Sequence, residues 1–323
     1  RIKDIGCLSH LLNTVGTKFE TPTLDEFVSL WVQLHSKSFK TRELWKTFAG
    51  KYPKRPSPTR WWSTWEVIAE LQENIESIEP FINECKHSPK VIAKMKGLYA
   101  GHAPIIKLQM AAAFDACKPL VQATYKLEGD GFLAPLVYTL MKGVENHLNQ
   151  FLEGQHPTVT RVAADNLEYL RAAKEMIRPA LTYLQGSLQK HPLSSSMSMF
   201  QAVRVFDPIA AKDIGVSVEP LSQLSVFEPE LIESMTLESA LYRAVVEDIK
   251  EYSDLHTWWM VNGNTFPSWK QAASIVTLFQ PSSAAVERVF SQLSAMYDDN
   301  RNRVLEDHVE ATLMLRINKQ IAN

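Results

Sequence analysis

A mainly α-helical protein is what this sequence predicts, and three observations carry that expectation. Apolar residues recur at i, i+3, i+4 and i+7 along much of the chain, as in Phe27, Leu30, Trp31 and Leu34. Thr23 with Glu26, and Ser63 with Glu66, have the spacing of capping boxes that open helices. Only residues 1–8, RIKDIGCL, alternate weakly as a strand would, and one strand forms no sheet unless its partners lie upstream.

The expected elements follow in order. Residues 9–15 look helical, and a helix opens after Pro22. The stretch 37–60 holds a short helix near 44–48 and then breaks at Pro53, Pro56 and Pro58, which is loop chemistry. A long helix from residue 63 turns Val67, Leu71, Ile75, Ile78 and Ile82 inward. Its other face carries Glu66, Glu70, Glu73, Glu76, Glu79 and Glu84, which reads as a solvated surface. Helices are expected at about 90–99, 104–127, 133–153 and 158–190. Residues 191–235, rich in Ser and Pro, are expected to form an irregular crossover. Helices at 237–252, 268–279 and 305–320 close the chain, with Trp258, Trp259 and Trp269 packing helix ends around the Gly263 turn. No internal repeat has a fixed period.

At 323 residues the chain has room for about two domains, and 45% apolar residues can fill their cores. The net charge of −2 announces no nucleic acid, but the charge is uneven. Residues 37–60 sum to +7 and residues 216–254 to −7, so one surface attracts phosphates while another repels them. Cys7, Cys85 and Cys117, odd in number and widely spaced, are expected to be reduced thiols of an intracellular protein. No apolar run reaches the ~18 residues that would span a bilayer, and no signal peptide is present, so no membrane partner is expected. The chain begins at Arg1 and reads as a fragment. Phosphate-binding Gly loops, G-x-S-x-G and H-E-x-x-H are absent from the sequence.

Three places could carry chemistry. Cys7 and His10 form a C-x-x-H pair, which is half of a zinc site or a buried thiol beside a hydrogen-bonded imidazole. Arg60, Trp61, Trp62 and Trp65 follow the basic loop that holds Lys54 and Arg55. Arg forks grip phosphate and Trp faces stack on unpaired bases, yet the same tryptophans could anchor a helix in a core. The third is PSSAAVERVFS, residues 281–291, where Ser283 can cap a helix whose first turn holds Glu287. Val286, Val289, Phe290, Leu293 and Met296 make its apolar side. From spacing, Glu287 fits either a metal ligand or an ordinary glutamate favoured by the helix dipole.

With these residues in view, the chain resembles the hAT superfamily of DNA transposases. Cys7-x-x-His10 with Leu11, Leu12 and Asn13 resembles one family block. Thr59, Arg60, Trp61 and Ser63 resemble a second, with Trp62 where a small polar residue is common. The most specific block runs over about 240–317: Trp258 and Trp259, Phe266 and Pro267, Pro281 to Ser283, Glu287 to Ser291, then Arg301, Arg303 and Leu305. The resemblance implies an RNase H-like core interrupted by a large all-α insertion. Residues 1–8 would be its last strand, 9–239 the insertion, and 240–323 the dimerisation region with returning core helices. It implies a homodimer or higher oligomer using Trp258, Trp259, Phe290, Leu305, Val309 and Leu313. It also implies DNA, as transposon ends, held by Arg60, Trp61, Lys54, Arg55 and Arg288, and a nuclear location. Family members cut DNA with two Asp and one Glu that hold Mg2+ or Mn2+. Glu287 matches the Glu, and both Asp are expected upstream of the Cys7 block. On that reading the chain by itself is catalytically silent, part of a transposase or of a domesticated, non-catalytic relative.

Overall fold

A computed structural model describes residues 6–36, 38–57, 60–296 and Met314. The described residues form helices and no strand, so the mainly α expectation holds. In chain order, α1 is Leu8–Gly16, α2 Pro22–Ser36, α3 Phe39–Ala49, α4 Trp61–Glu73, α5 Ile75–Glu84, α6 Pro89–Leu127, α7 Ala134–Glu153, α8 Pro157–Ala163 and α9 Leu167–Leu188. After them come α10 Leu193–Val203, α11 Pro208–Ile214, α12 Glu219–Ser222, α13 Pro229–Glu247, α14 Leu255–Asn262, α15 Pro267–Val276 and α16 Ala284–Met296. Most of the strand expected over 1–8 lies outside the described residues. Gly6 and Cys7 are non-helical and Leu8 already begins α1.

The chain divides into two compact units. A helical unit comprises His10–Thr124 and Tyr138–Met197, and a terminal unit comprises Arg1–Ser9, Tyr125–Val137 and Ser198–Asn323.

In the helical unit the expected apolar stripe of α2 is buried: Phe27, Leu30, Trp31 and Leu34 all face the core. Trp31 meets Trp45 of α3 edge-on at 4.6 Å and Phe81 of α5 at 5.3 Å, an aromatic nest joining three helices. Neither capping box forms as expected. Helix α2 starts at Pro22, and the Leu24 amide donates to Gln109 Oε1 of α6 at 2.7 Å. Helix α4 starts two residues early, at Trp61, whose amide donates to Asn13 Oδ1 of α1 at 2.6 Å. In both cases a side chain from another helix satisfies a first-turn donor that a local cap would otherwise serve. The single long helix expected from residue 63 breaks at Asn74, whose φ of −115° and ψ of 29° leave the helical region and separate α4 from α5. Glu70, expected on a solvated face, is buried. It accepts from Trp45 Nε1 at 2.7 Å and from the Lys54 amide at 2.8 Å. The break expected near 100 is present as a kink at His102 in α6, two residues before Pro104, whose ring clashes with the preceding turn.

Residues 191–235, expected to be an irregular crossover, fold into α10, α11, α12 and the start of α13. Their short apolar runs are buried: Phe200, Val203, Val205, Phe206, Leu221 and Phe227 are all inside. The prolines read as breakers are helix starters, Pro208 and Pro229 in the first turns of α11 and α13. The terminal unit closes on an aromatic core. Tyr242 lies 4.7 Å from Trp269, 5.0 Å from Phe266 and 5.4 Å from Trp259 by ring centroid. The polar tips of these buried rings are paired: Tyr242 Oη donates to Val205 O at 2.7 Å, Trp259 Nε1 to Phe206 O at 2.8 Å, and Trp269 Nε1 to Met235 O at 2.9 Å.

His35 sits in the nest of the helical unit, 4.4 Å from Trp31 and stacked on Phe81 at 5.5 Å. Its Nδ1 donates to Trp31 O at 2.8 Å, while Nε2 is buried with no partner among the described residues. Burial pushes its pKa down to about 4, so the folded protein holds it neutral. Its folded pKa lies below the unfolded one. The associated stability is therefore complete above about pH 6.5 and is lost as pH falls toward about 4, by about 3 kcal/mol in all. His35→Gln should cancel that loss: the difference in unfolding free energy between wild type and variant should narrow across this interval in denaturant titrations. A constant difference would show that His35 does not titrate on unfolding.

Candidate functional site

In the helical unit the residues singled out from the sequence gather around the start of α4. Arg60 is the residue before the helix, extended at φ −133° and ψ 111°, and its carbonyl accepts from Ser63 Oγ at 2.7 Å. Its guanidinium lies 5.9 Å from the Trp62 ring. Trp61 is half-buried and its ring lies 5.3 Å from Phe19, tilted by 39°. Together with Thr17, Asp25, Val28, Ser29, Pro56 and neighbours, these two rings line a hollow of about 440 Å³. Burial pushes the Asp25 carboxyl above its usual range, against an opposing hydrogen bond from Thr21. The hollow therefore offers aromatic faces, one carboxyl and several hydroxyls, and Arg60 precedes Trp61 in the chain.

The backbone at Gly16 makes room for Trp61. A Cβ there would lie 2.1 Å from Trp61 Cε3, closer than any side chain tolerates. No motif announces this constraint in the sequence, where only the neighbouring Leu11, Leu12 and Asn13 stand out.

Part of the basic stretch is engaged inside the unit. Lys51 pairs with Glu73 at 2.9 Å and Lys54 approaches Glu66 at 3.7 Å. Lys46 lies over the Tyr52 ring at 4.6 Å, and Arg42 over Phe39 at 5.6 Å. The +7 read from 37–60 is thus partly matched by the acidic face of α4, and Arg55 and Arg60 stand close to Trp61 in sequence. Pro58 and Thr59 lie outside the described residues.

In the terminal unit the PSSAAVER stretch is clasped at every polar position. Pro281 O accepts from the Leu8 amide at 3.0 Å. Ser282 Oγ donates to Leu127 O at 2.8 Å and accepts from the Ala284 amide at 3.3 Å. Ser283 meets Cys7 Sγ through its amide at 3.4 Å and its hydroxyl at 3.3 Å. Ser283 Oγ also donates to Glu287 Oε1 at 2.6 Å, closing one turn of α16. Arg288 donates to Glu128 O at 2.8 Å and to Asp130 Oδ1 at 2.6 Å. Arg288, expected to hold DNA, here meets the carbonyl and acid of the turn after α6. Cys7 touches Ser9 and Ser283, and His10 is exposed.

Glu287 is exposed in the first turn of α16. Among the described residues no group of three or more His, Cys, Asp or Glu converges to hold a metal. Among the described residues, the oxygens shown around Glu287 are its own carboxylate and the Ser283 hydroxyl, fewer than the several oxygen ligands a divalent ion takes. No step of metal chemistry follows from them.

Of the residues expected in self-association, Trp259 is buried in the terminal unit's own core, Trp258 is half-buried and Phe290 is exposed. Leu305, Val309 and Leu313 lie outside the described residues. Leu237 and Leu241 of α13, 85% and 52% exposed and one turn apart, escape sequence reasoning because they look like ordinary members of a helical stripe.

Residues 236–318 match the hAT family C-terminal dimerisation region. The matched region begins within α13 and continues through α16 and beyond. A comparison with curated proteins finds no match.

Gly16→Ala should displace Trp61 or strain α1, at a cost of roughly 1–3 kcal/mol. Thermal unfolding and near-UV circular dichroism check this, and an unaltered aromatic spectrum with an unchanged midpoint would contradict the packing.

Proposed function

We propose that this chain is the dimerising, DNA-binding portion of an hAT-type transposase or a transposase-derived protein that works in the nucleus. The observation that carries it is the match of residues 236–318 to the family's dimerisation region, together with the apolar α13 face within it. Leu237 and Leu241 supply one seam of a homodimer, alongside Phe290 and the segment holding Leu305, Val309 and Leu313. Two exposed leucines one turn apart are favourable to cover, each removing a methyl-rich surface from water. Sedimentation at tens of micromolar should show self-association, and Leu237→Glu with Leu241→Glu should shift the protein toward monomer. A double variant that sediments like wild type would remove α13 from the seam.

DNA is the second partner. The Trp61 hollow takes an unpaired base from a transposon end, with Trp61 and Phe19 as stacking faces, while Arg60, Arg55 and Lys54 meet the backbone. Arg288, held by the 128–130 turn, supports α16 instead of touching DNA. Binding to hairpin or single-stranded DNA should be salt-sensitive. Arg55→Ala with Arg60→Ala should weaken it and lower the log–log salt slope by about 0.7 for each phosphate that is no longer neutralised. Trp61→Ala should weaken it with little change in slope. Unchanged affinity in both variants would count against the hollow as the site.

The family's Mg2+ or Mn2+ chemistry would use Glu287 only with two further carboxylates beyond the described residues. A domesticated, non-catalytic relative is the second reading, favoured by the engagement of Glu287 with Ser283.

A further inference from the structure

The helical unit holds another hollow of different chemistry. A groove of about 310 Å³ beside α5 and α6 is lined by Glu76, Glu79, Pro80, Asn83, Tyr99 and Lys107. Glu76 and Glu79 stand three residues apart on α5, so their carboxylates share one face. They continue the acidic run whose earlier members are engaged: Glu66 with Lys54, Glu70 with Trp45, Glu73 with Lys51. Glu76 and Glu79 are exposed and have no ion-pair partner among the described residues.

Tyr99 lines this groove. Its ring is fixed against Phe27, centroids 5.9 Å apart, and the residue is 5% exposed. Its hydroxyl is buried and has no hydrogen-bond partner among the described residues. Burial, with the charges of Glu79 and Glu76, pushes the phenol up to about 12, so it stays protonated and lies within the field of both carboxylates. A buried hydroxyl without a partner is unfavourable until some bound group completes it.

Two carboxylates against the one ammonium of Lys107 leave the groove negative. Acceptors dominate, with the carboxylate oxygens of Glu76 and Glu79 joined by the Asn83 amide oxygen and the Tyr99 oxygen. Lys107 in the lining disfavours a bare divalent ion. A planar cation with a fork of N–H donors meets such a set better than a compact ammonium does. We propose that this groove docks the guanidinium of an arginine side chain from a basic peptide segment of a partner protein, with Glu76 and Glu79 as charged acceptors and Tyr99 Oη as a further contact. The groove is independent of the Trp61 hollow and of the dimer seam, so it stands or falls separately from both.

The test is a titration of acetyl-Gly-Arg-Gly-amide into the 15N-labelled full chain, followed by NMR. Saturable shifts should map to α5 and the first half of α6. The citrulline analogue, alike in shape but neutral, should give none, and the lysine analogue should bind more weakly. Glu76→Gln with Glu79→Gln should weaken binding at least about tenfold. Tyr99→Phe should weaken it about threefold, with a melting temperature equal to or above wild type, because the hydroxyl it removes is unpartnered. Equal binding of the citrulline peptide, or full affinity in the double Gln variant, overturns the site. A lower melting temperature for Tyr99→Phe shows the hydroxyl already paired and overturns the Tyr99 contact.

Discussion

The buried carboxylate of Glu70 is the interaction on which the helical unit depends. One oxygen accepts the Trp45 indole N–H and the other the Lys54 amide. The first bond pins α3 into the aromatic nest with Trp31 and Phe81, and the second fixes the proline-broken loop that leads to Arg60 and Trp61. Without it, a buried indole donor and a loop amide would both go without an acceptor, and each such orphan costs roughly 1–3 kcal/mol. Core packing and the geometry of the Trp61 hollow are thereby set by one side chain. A surface residue could be exchanged without disturbing either; this one could not.

Apolar stripes are legible in the sequence, and polar connections are hidden in it. Phe27, Trp31 and Leu34, or Val67, Leu71 and Ile78, announce their burial by spacing, because helical periodicity is local. Glu70 looks like one of six solvated acids, since nothing in the spacing marks which of them meets Trp45. Asn13 and Gln109 serve the starts of α4 and α2 from distant positions, so the local capping boxes misplace both. Residues 191–235 look irregular because most helices there are too short for their period to show. The tryptophans around Gly263 do pack helix ends as expected, for bulky rings at a turn have few other places to go.

The candidate sites divide along the same line. The kind of segment that PSSAAVER belongs to is readable from its residues, and its match to the dimerisation region agrees. Its physical role is not readable there. Each polar side chain in it proves to be a connector: Ser282 serves α6 and α16 together, Ser283 holds Cys7 and Glu287, and Arg288 closes the turn after α6. Residues singled out by type alone here also hold a helix start in place.

Those connectors also govern the order in which the protein can be made. Ser283 and Cys7 are 276 residues apart, and Ser282 and Leu127 are 155 apart. Chain length of this order adds little to equilibrium cost, since each doubling of a loop adds only about 0.6 kcal/mol. Its consequence is one of timing. During synthesis the helical unit has all of its residues by Met197, whereas the end of α6 and the residues before α1 must wait for the last stretch to emerge. The terminal unit is therefore the last part of the described chain to close, and a ribosome halted before Pro281 leaves it without the bonds that join its three segments.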